Sequence, residues 1–272
     1  MKNVLVINDL SGFGNCSLTV NLPVLQNTGL KTHAVASFLL SRQSDYDDFY
    51  AVNQSDFLTE TLKRYAEDKN YFDCVLSGYL RDEKSIAAVD GFLTDFKGLK
   101  VIDTVFADDG KLYKGFSEKQ VALYKELIKK ADIITPNITE ACFLCDTDYE
   151  EFLKVKNEKE LFEKINGLFN ALSPLTDAVI YITGAVVNGK IYSFVADKEG
   201  VFTAYSKDNG YRFSGSGDLF TSIITGETLN GTNSKKALSK AVKFIKKAAD
   251  YSVKNGHYGN DGLLYQKFLK KL

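Results

Sequence analysis

Val4-Leu5-Val6-Ile7-Asn8-Asp9-Leu10-Ser11-Gly12-Phe13-Gly14-Asn15 opens the chain's first structural unit. Four consecutive apolar residues stop at Asn8-Asp9, the pattern of a buried strand and its end. Ser11 to Asn15 is a glycine loop, and Leu18, Leu22 and Leu25 then recur at helical spacing before Asn27-Thr28-Gly29. Strand, glycine loop and helix make the start of a βαβ unit. The loop matches a dinucleotide fingerprint only weakly, because Ser17 stands where the third glycine of G-x-G-x-x-G belongs. Pro23 falls inside the helix and marks a point where it can kink.

The alternation continues. Residues 32–40 read as a second strand, followed by the polar run Ser41-Arg42-Gln43-Ser44-Asp45. Residues 53–69 read as a helix with Phe57, Leu58, Leu62 and Tyr65 inward. Residues 72–76 form a strand ending at Ser77-Gly78-Tyr79, and Ile86, Val89, Phe92 and Leu93 mark the next helix. A short strand, Val101-Ile102, ends at Asp103. A helix over 121–130 leads to Ile133-Ile134, and Thr135-Pro136-Asn137 opens a helix with Glu140 in its first turn. Helix 161–172, strand 178–182, an antiparallel pair at 190–196 and 201–206, and a long helix over 234–254 complete the series. The pattern predicts an α/β fold: a mostly parallel central sheet, helices on both faces, a short antiparallel addition, and one domain over residues 1–272. Such sheets bind ligands beyond the carboxyl ends of their strands. Asp9, Ser11, the 41–45 run, Tyr79, Asp103, Asn137 and Thr183 fall at those ends and are expected to line one crevice.

Composition narrows the classes. The 272 residues are 44% hydrophobic and 25% charged, ordinary for a soluble globular protein with a large core. A formal charge of -1 gives no reason to expect nucleic acid or an anionic membrane as partner. The Val4–Ile7 run is too brief for a signal-peptide core, and nothing approaches the ~18 apolar residues of a membrane helix. The expected compartment is therefore the cytoplasm. Cys16, Cys74, Cys142 and Cys145 read as reduced thiols, since the Cys142/Cys145 pair lacks the second ligand pair of a zinc site. With only His33 and His257, acid–base chemistry falls to carboxylates.

A second stretch carries the chemistry: Phe213-Ser214-Gly215-Ser216-Gly217-Asp218-Leu219-Phe220. Leu219, Phe220, Ile223 and Ile224 put one face of a new helix into a core, so the glycines form the turn that opens it. Taken alone, this is a helix cap with flexible glycines. It is equally a place where unpaired amides and the positive helix end meet an anion.

This stretch resembles the Gly-Thr/Ala-Gly-Asp signature of the ribokinase-like superfamily, and is similar above all to its pyridoxal/pyridoxine kinase branch. Four further stretches in the family's order carry the likeness: Asn8 to Gly14, Ser77-Gly78-Tyr79-Leu80-Arg81-Asp82, Asp103-Thr104-Val105-Phe106-Ala107-Asp108, and Ala131 to Ala141 with its Thr-Pro-Asn-x-x-Glu block. The resemblance implies a ribokinase-like fold and phosphoryl transfer from ATP to the 5'-hydroxymethyl group of a pyridoxal, pyridoxine or pyridoxamine vitamer. By that likeness Asp218 is the general base, and the amides of Gly215, Ser216 and Gly217 form the anion hole. Asp103, Asp108, Thr135, Asn137, Thr183, Gly184 and Ser216 face the nucleotide, and Asn137 and Glu140 hold Mg2+ through water. A monovalent cation such as K+ near Asp103, Thr135 and Thr183, and a homodimer, are implied in the same way. Asp9, Ser11, Ser44 and Tyr79 would meet the vitamer ring. Two departures stand out. The family's Ser-x-His-Thr loop reads Ser41-Arg42-Gln43-Ser44 here, and the proline of its Asp-Pro-Val block is Thr104. The altered loop keeps open a hydroxymethylpyrimidine or small sugar-like alcohol as acceptor. A nucleotide- or vitamer-binding protein without turnover is a third reading, against which the intact Asp218 argues.

Overall fold

The fold is built around the strand that opens the chain. A computed structural model describes residues 1–272, apart from the side chain of Lys271. Strand β1 (Asn3–Ser11) lies between β2 (Lys31–Leu40) and β4 (Cys74–Ser77), parallel to both. Its side chains alternate between two cores. Leu5 and Ile7 pack on one face of the sheet, Val4 and Val6 on the other, and all four are fully buried. A strand covered on both faces reads as an unbroken apolar run.

The sheet grows outward from β1. Beyond β4 come β5 (Leu99–Ile102), β8 (Ile133–Ile134) and β9 (Val179–Val187), all parallel. Antiparallel strands close both sides: β3 (Ala51–Asn53) beside β2, and β10 (Lys190–Asp197) and β11 (Gly200–Lys207) beyond β9. A separate two-stranded ribbon joins β6 (Ala107–Asp108) to β7 (Lys111–Leu112). This is the α/β sheet expected, with its antiparallel addition longer than foreseen.

Helices cover both faces. On the Leu5/Ile7 side lie α2 (Ser55–Tyr65), α3 (Glu83–Leu93), α4 (Glu118–Leu127), α5 (Ile138–Leu144) and α7 (Glu158–Leu172); the short α6 (Glu150–Leu153) adds Phe152 to that side. On the Val4/Val6 side lie α1 (Leu18–Asn27), α8 (Ser216–Leu229) and α9 (Ser234–Lys254). Pro23 sits within α1 without ending it. Two expectations are corrected. Phe57 points outward, 56% exposed, because α2 begins only at Ser55 and turns Leu58 and Leu62 to the sheet. Strand β9 runs past Ile182 to Val187, but its parallel pairing with β8 ends at Ile180, so Thr183 still lies where the parallel sheet stops. Among the described residues no helix is long and apolar enough to cross a membrane.

The chain leaves β1 for β2 on one side and returns to β4 on the other. The strand order reverses between β1 and β4, which opens a crevice at their carboxyl ends. Asp9, Ser11 and Tyr79 stand at its rim.

Candidate active site

A cleft of about 590 Å³ lies over the carboxyl ends of the parallel strands. Each site residue read from the sequence lines it. They are Asp9, Ser11, Ser44, Tyr79, Asp103, Asp108, Thr135, Asn137, Glu140, Thr183, Gly184 and residues 215–218. Ser41 and Arg42, of the same polar run as Ser44, do not reach it.

Asp218, in the first turn of α8, is held at both oxygens. The Ser17 N–H donates to Oδ2 (2.8 Å), and Asn8 Nδ2 donates to Oδ1 (3.0 Å). Burial raises its carboxyl above the usual range, and these two donors oppose the rise. Asn8 is saturated. Its other amide proton goes to Asn21 Oδ1 (2.8 Å), while its oxygen accepts from the N–H groups of Asp9 (2.9 Å) and Tyr79 (2.8 Å). One side chain thus ties the candidate base to the backbone where both β1 and β4 end. It also explains Gly78, where a Cβ would lie 2.5 Å from the Asn8 amide.

Ser17 is the missing glycine made useful. Its φ of 52° lies in the left-handed region that a glycine occupies freely and a serine rarely does. That turn points its N–H at Asp218 and its hydroxyl at Asp9 Oδ1. Ser11 Oγ donates to the other Asp9 oxygen at 2.9 Å. Burial, and then the Asp218 charge, outweigh these donors and push the Asp9 carboxyl up to about 6.

The glycine turn before α8 is shaped by contact. Gly215 has a φ of 75°, and a Cβ there would lie 2.1 Å from the Asn15 carbonyl oxygen. A Cβ on Gly217 would meet only open space, so a ligand can come close. Among the described residues the N–H groups of Gly215 and Gly217 have no protein acceptor, whereas that of Ser216 leans on Phe213 O at 3.3 Å. The anion hole expected from three amides therefore has two open ones.

Asp103 Oδ1 accepts from Thr135 Oγ1 (2.9 Å), which also lies 2.9 Å from Thr221 Oγ1. Burial and the Asp218 charge push Asp103 up to about 7. Asn137 and Glu140 form a reciprocal capping box at the start of α5. Glu140 does more than cap. Its oxygens accept from Thr104 Oγ1 (3.0 Å) and from the N–H groups of Asn137 (2.9 Å), Phe106 (3.1 Å) and Ala107 (3.5 Å). Four donors meet the four lone-pair sites of a carboxylate. Glu140 thereby clamps the 104–107 loop to α5, so any hold it has on a metal would pass through water. Burial and the Asp103 charge raise its carboxyl well above the usual range against those donors. A hard cation nonetheless suits the place. The lining is rich in oxygen and carboxylate, and among the described residues no cationic side chain pairs with Asp9, Asp103 or Asp218. Asp103 and the remaining lone pair of Asn137 Oδ1 are the free donors.

Tyr79 is 8% exposed, its ring set edge-on between those of Phe38 (centroids 6.2 Å apart) and Phe116 (5.5 Å). A second cavity of about 170 Å³ adjoins the cleft behind Thr183, Gly184 and Gly217, with Phe220, Val242 and Ile245 in its wall. Sequence reasoning missed Asn8, Ser17, Asn21, Tyr113 and the closing segment at Gly259-Asn260. Only Ser17 left a signal, as the residue that breaks the glycine pattern.

The chain matches the phosphomethylpyrimidine kinase family model over residues 24–261. It belongs to that family. A candidate pyridoxal kinase of Schizosaccharomyces pombe is 24% identical over 212 residues, 71% of this chain; the match spans only 62% of that relative's length. A candidate phosphomethylpyrimidine kinase from Bacteroides thetaiotaomicron, crystallised with pyridoxal, superposes with a TM-score of 0.90 at 29% identity, over 99% of this chain and 95% of that one. Pyridoxal kinase from Lactobacillus plantarum does so at 0.89 and 26%, over 100% and 96%. The family and these neighbours support a phosphotransferase on the ribokinase-like fold.

Proposed function

We propose that this chain, as one kinase domain, transfers a phosphoryl group from ATP to the hydroxymethyl group of pyridoxal, pyridoxine or pyridoxamine. The observation that carries the reading is the pairing of a buried, doubly anchored Asp218 with the open amides of Gly215 and Gly217. A base and an anion hole lie within one helix turn. Asp218 takes the proton of the acceptor alcohol, a step that contributes typically ~10²–10⁴-fold. The two amides and the positive end of α8 meet the charge on the phosphoryl group. Positioning and charge stabilisation dominate such transfers.

The nucleoside occupies the second cavity, and the phosphates cross Thr183, Gly184 and Ser216 into the cleft. Asp108, on the β6 ribbon, faces them. Magnesium would be held by Asp103 and Asn137, largely through water, and would neutralise phosphate charge. K+ would be held near Asp103, Thr135 and Thr183. The acceptor ring lies along Tyr79, its polar edge toward Asp9 and Ser11, with Ser44 above. A homodimer belongs to the same reading by family likeness, and the cytoplasm is the compartment it is expected in.

A second acceptor, hydroxymethylpyrimidine, is favoured by the description of the family model and by the Gln43-Ser44 loop. ADP release with the three vitamers, hydroxymethylpyrimidine and several sugars tests both. Turnover of a vitamer supports the first reading, and turnover of the pyrimidine alone replaces it. Ligand binding without any turnover leaves a binding protein.

A further inference from the structure

The charge of the cleft does not match the charge of a nucleotide. Among the described residues its lining holds seven carboxylates and one cationic side chain, Arg212. Polyphosphate entering there meets like charge at close range. Arg212 is also one of six residues that line both the cleft and the 170 Å³ cavity, the others being Thr183, Gly184, Phe213, Ser216 and Gly217. It alone among the six is charged. It stands three residues before Gly215, on the segment that carries the open amides.

Its guanidinium is oriented. Nη1 and Nη2 donate to the two Asp208 oxygens at 3.0 and 3.2 Å, and Nη1 also donates to Tyr211 O at 3.2 Å. Asp208 is itself fixed by the Gly210 N–H at 2.9 Å and is much less exposed (15%) than Arg212 (61%). The fork is thus anchored from behind, with donors left over from the five a guanidinium carries. Its charge is felt inside the cleft, where it lowers the Asp108 carboxyl against the burial that raises it.

We propose that Arg212 clamps the phosphates of the bound nucleotide where they pass from the nucleoside cavity into the cleft, with Asp208 as its positioning residue. The inference rests on the phosphotransferase reading. Planar guanidinium forks bind phosphate oxygens in pairs, which a lysine ammonium cannot reproduce.

The test is calorimetric titration of the full-length protein with ADP, with and without magnesium, together with steady-state kinetics. Arg212→Gln is expected to weaken ADP binding about 10- to 100-fold, the range for a lost charge-assisted hydrogen bond. The loss should persist without magnesium, flatten the salt dependence of binding, and leave acceptor KM unchanged. Arg212→Lys should recover part of it, which also shows that the position tolerates substitution. ADP affinity within about twofold of wild type in Arg212→Gln, alongside normal wild-type turnover, overturns the clamp alone. A wild-type chain that binds no nucleotide overturns the clamp and the kinase reading together.

Discussion

Asp103→Asn should make the ligand-free protein more stable, by a margin that grows as pH rises from about 4 to about 7. Burial and the neighbouring Asp218 charge push the Asp103 carboxyl from its ordinary 3.8 up to about 7 in the folded state. Below pH 3.8 both folded and unfolded chains carry the proton, and the residue contributes no pH dependence. As pH rises from about 4, the unfolded chain releases the proton while the folded chain keeps it. The folded state then binds more protons, so stability falls with pH until the folded carboxyl also ionises near 7. The difference is roughly three pH units at ~1.36 kcal/mol each, on the order of 4 kcal/mol. Asparagine fills the same space, still accepts the Thr135 hydroxyl, and has no charge to bury. Urea unfolding at 25 °C without magnesium, at pH 4.5 and pH 8, should show a gain for the variant of about 1 kcal/mol at the first and about 4 kcal/mol at the second. In thermal melts this corresponds to roughly 10 °C for a chain of this size. Magnesium should narrow the gap by binding the folded wild type. The same difference at both pH values, or a variant less stable at pH 8, would refute the argument that the ionised carboxylate is what the fold strains to hold.

Asp218→Asn should lower kcat by at least ~100-fold while ADP still binds, and near-normal turnover would remove Asp218 from the mechanism. Ser17→Gly keeps the N–H to Asp218 and relaxes a backbone held at φ 52°, a strain of about 1–3 kcal/mol. Its melting temperature should therefore hold or rise while acceptor KM increases, because Asp9 loses a donor; an unchanged KM would dissociate Asp9 from acceptor binding. Asn8→Asp sets a second carboxylate beside Asp218 Oδ1, where Asn8 Nδ2 now stands at 3.0 Å. The acid limb of the kcat–pH profile should move up by about a unit or more, as like charges do, and a limb that stays put would mean that Asn8 does not tune the base.

Much of the molecule could be read before its structure, for a physical reason. The strands of the parallel sheet are buried on both faces, so each appears as an apolar run with a polar stop, and the stop is where ligands bind. Asp9, Tyr79, Asp103 and Asn137 were found by that rule alone. The glycine-aspartate turn added Asp218. What stayed hidden depends on partners far away in the chain. Asn8 looks like any strand-ending asparagine, yet its four hydrogen bonds reach Asp218 and Tyr79, 210 and 71 residues on. Glu140 looks like a helix-start carboxylate and is one, but its hold on Phe106 and Ala107 depends on a loop 33–34 residues upstream. Phe57 was misplaced because the inward stripe runs through Leu58 and Leu62, and a residue one position away points about 100° off it. Strand β3 was missed because three residues carry too little pattern to separate from the polar run before them.

The wall over the acceptor end of the cleft has a consequence for how the protein is made. Gln43 Nε2 donates to Asn260 O, Asn260 Nδ2 to Asp45 O, and Tyr46 Oη to Asp261 Oδ1, while Asn15 bridges to Gly262. Residues 15–46 complete this wall only once residues 260–262 are in place. Domains fold as their sequence emerges, at about 5–20 residues per second, so the sheet has time to form with its carboxylates still open to water. A chain released after α9, at Lys254, would carry every strand of the nine-stranded sheet and yet lack the segment that closes the site. Such a product keeps the strands but loses the buried Leu263, Tyr265 and Phe268, so it should melt at a lower temperature as well as fail a test of acceptor binding. Competence is thus conferred by a segment that follows the whole sheet in the chain and also adds Leu263, Tyr265 and Phe268 to the core on the Val4/Val6 side.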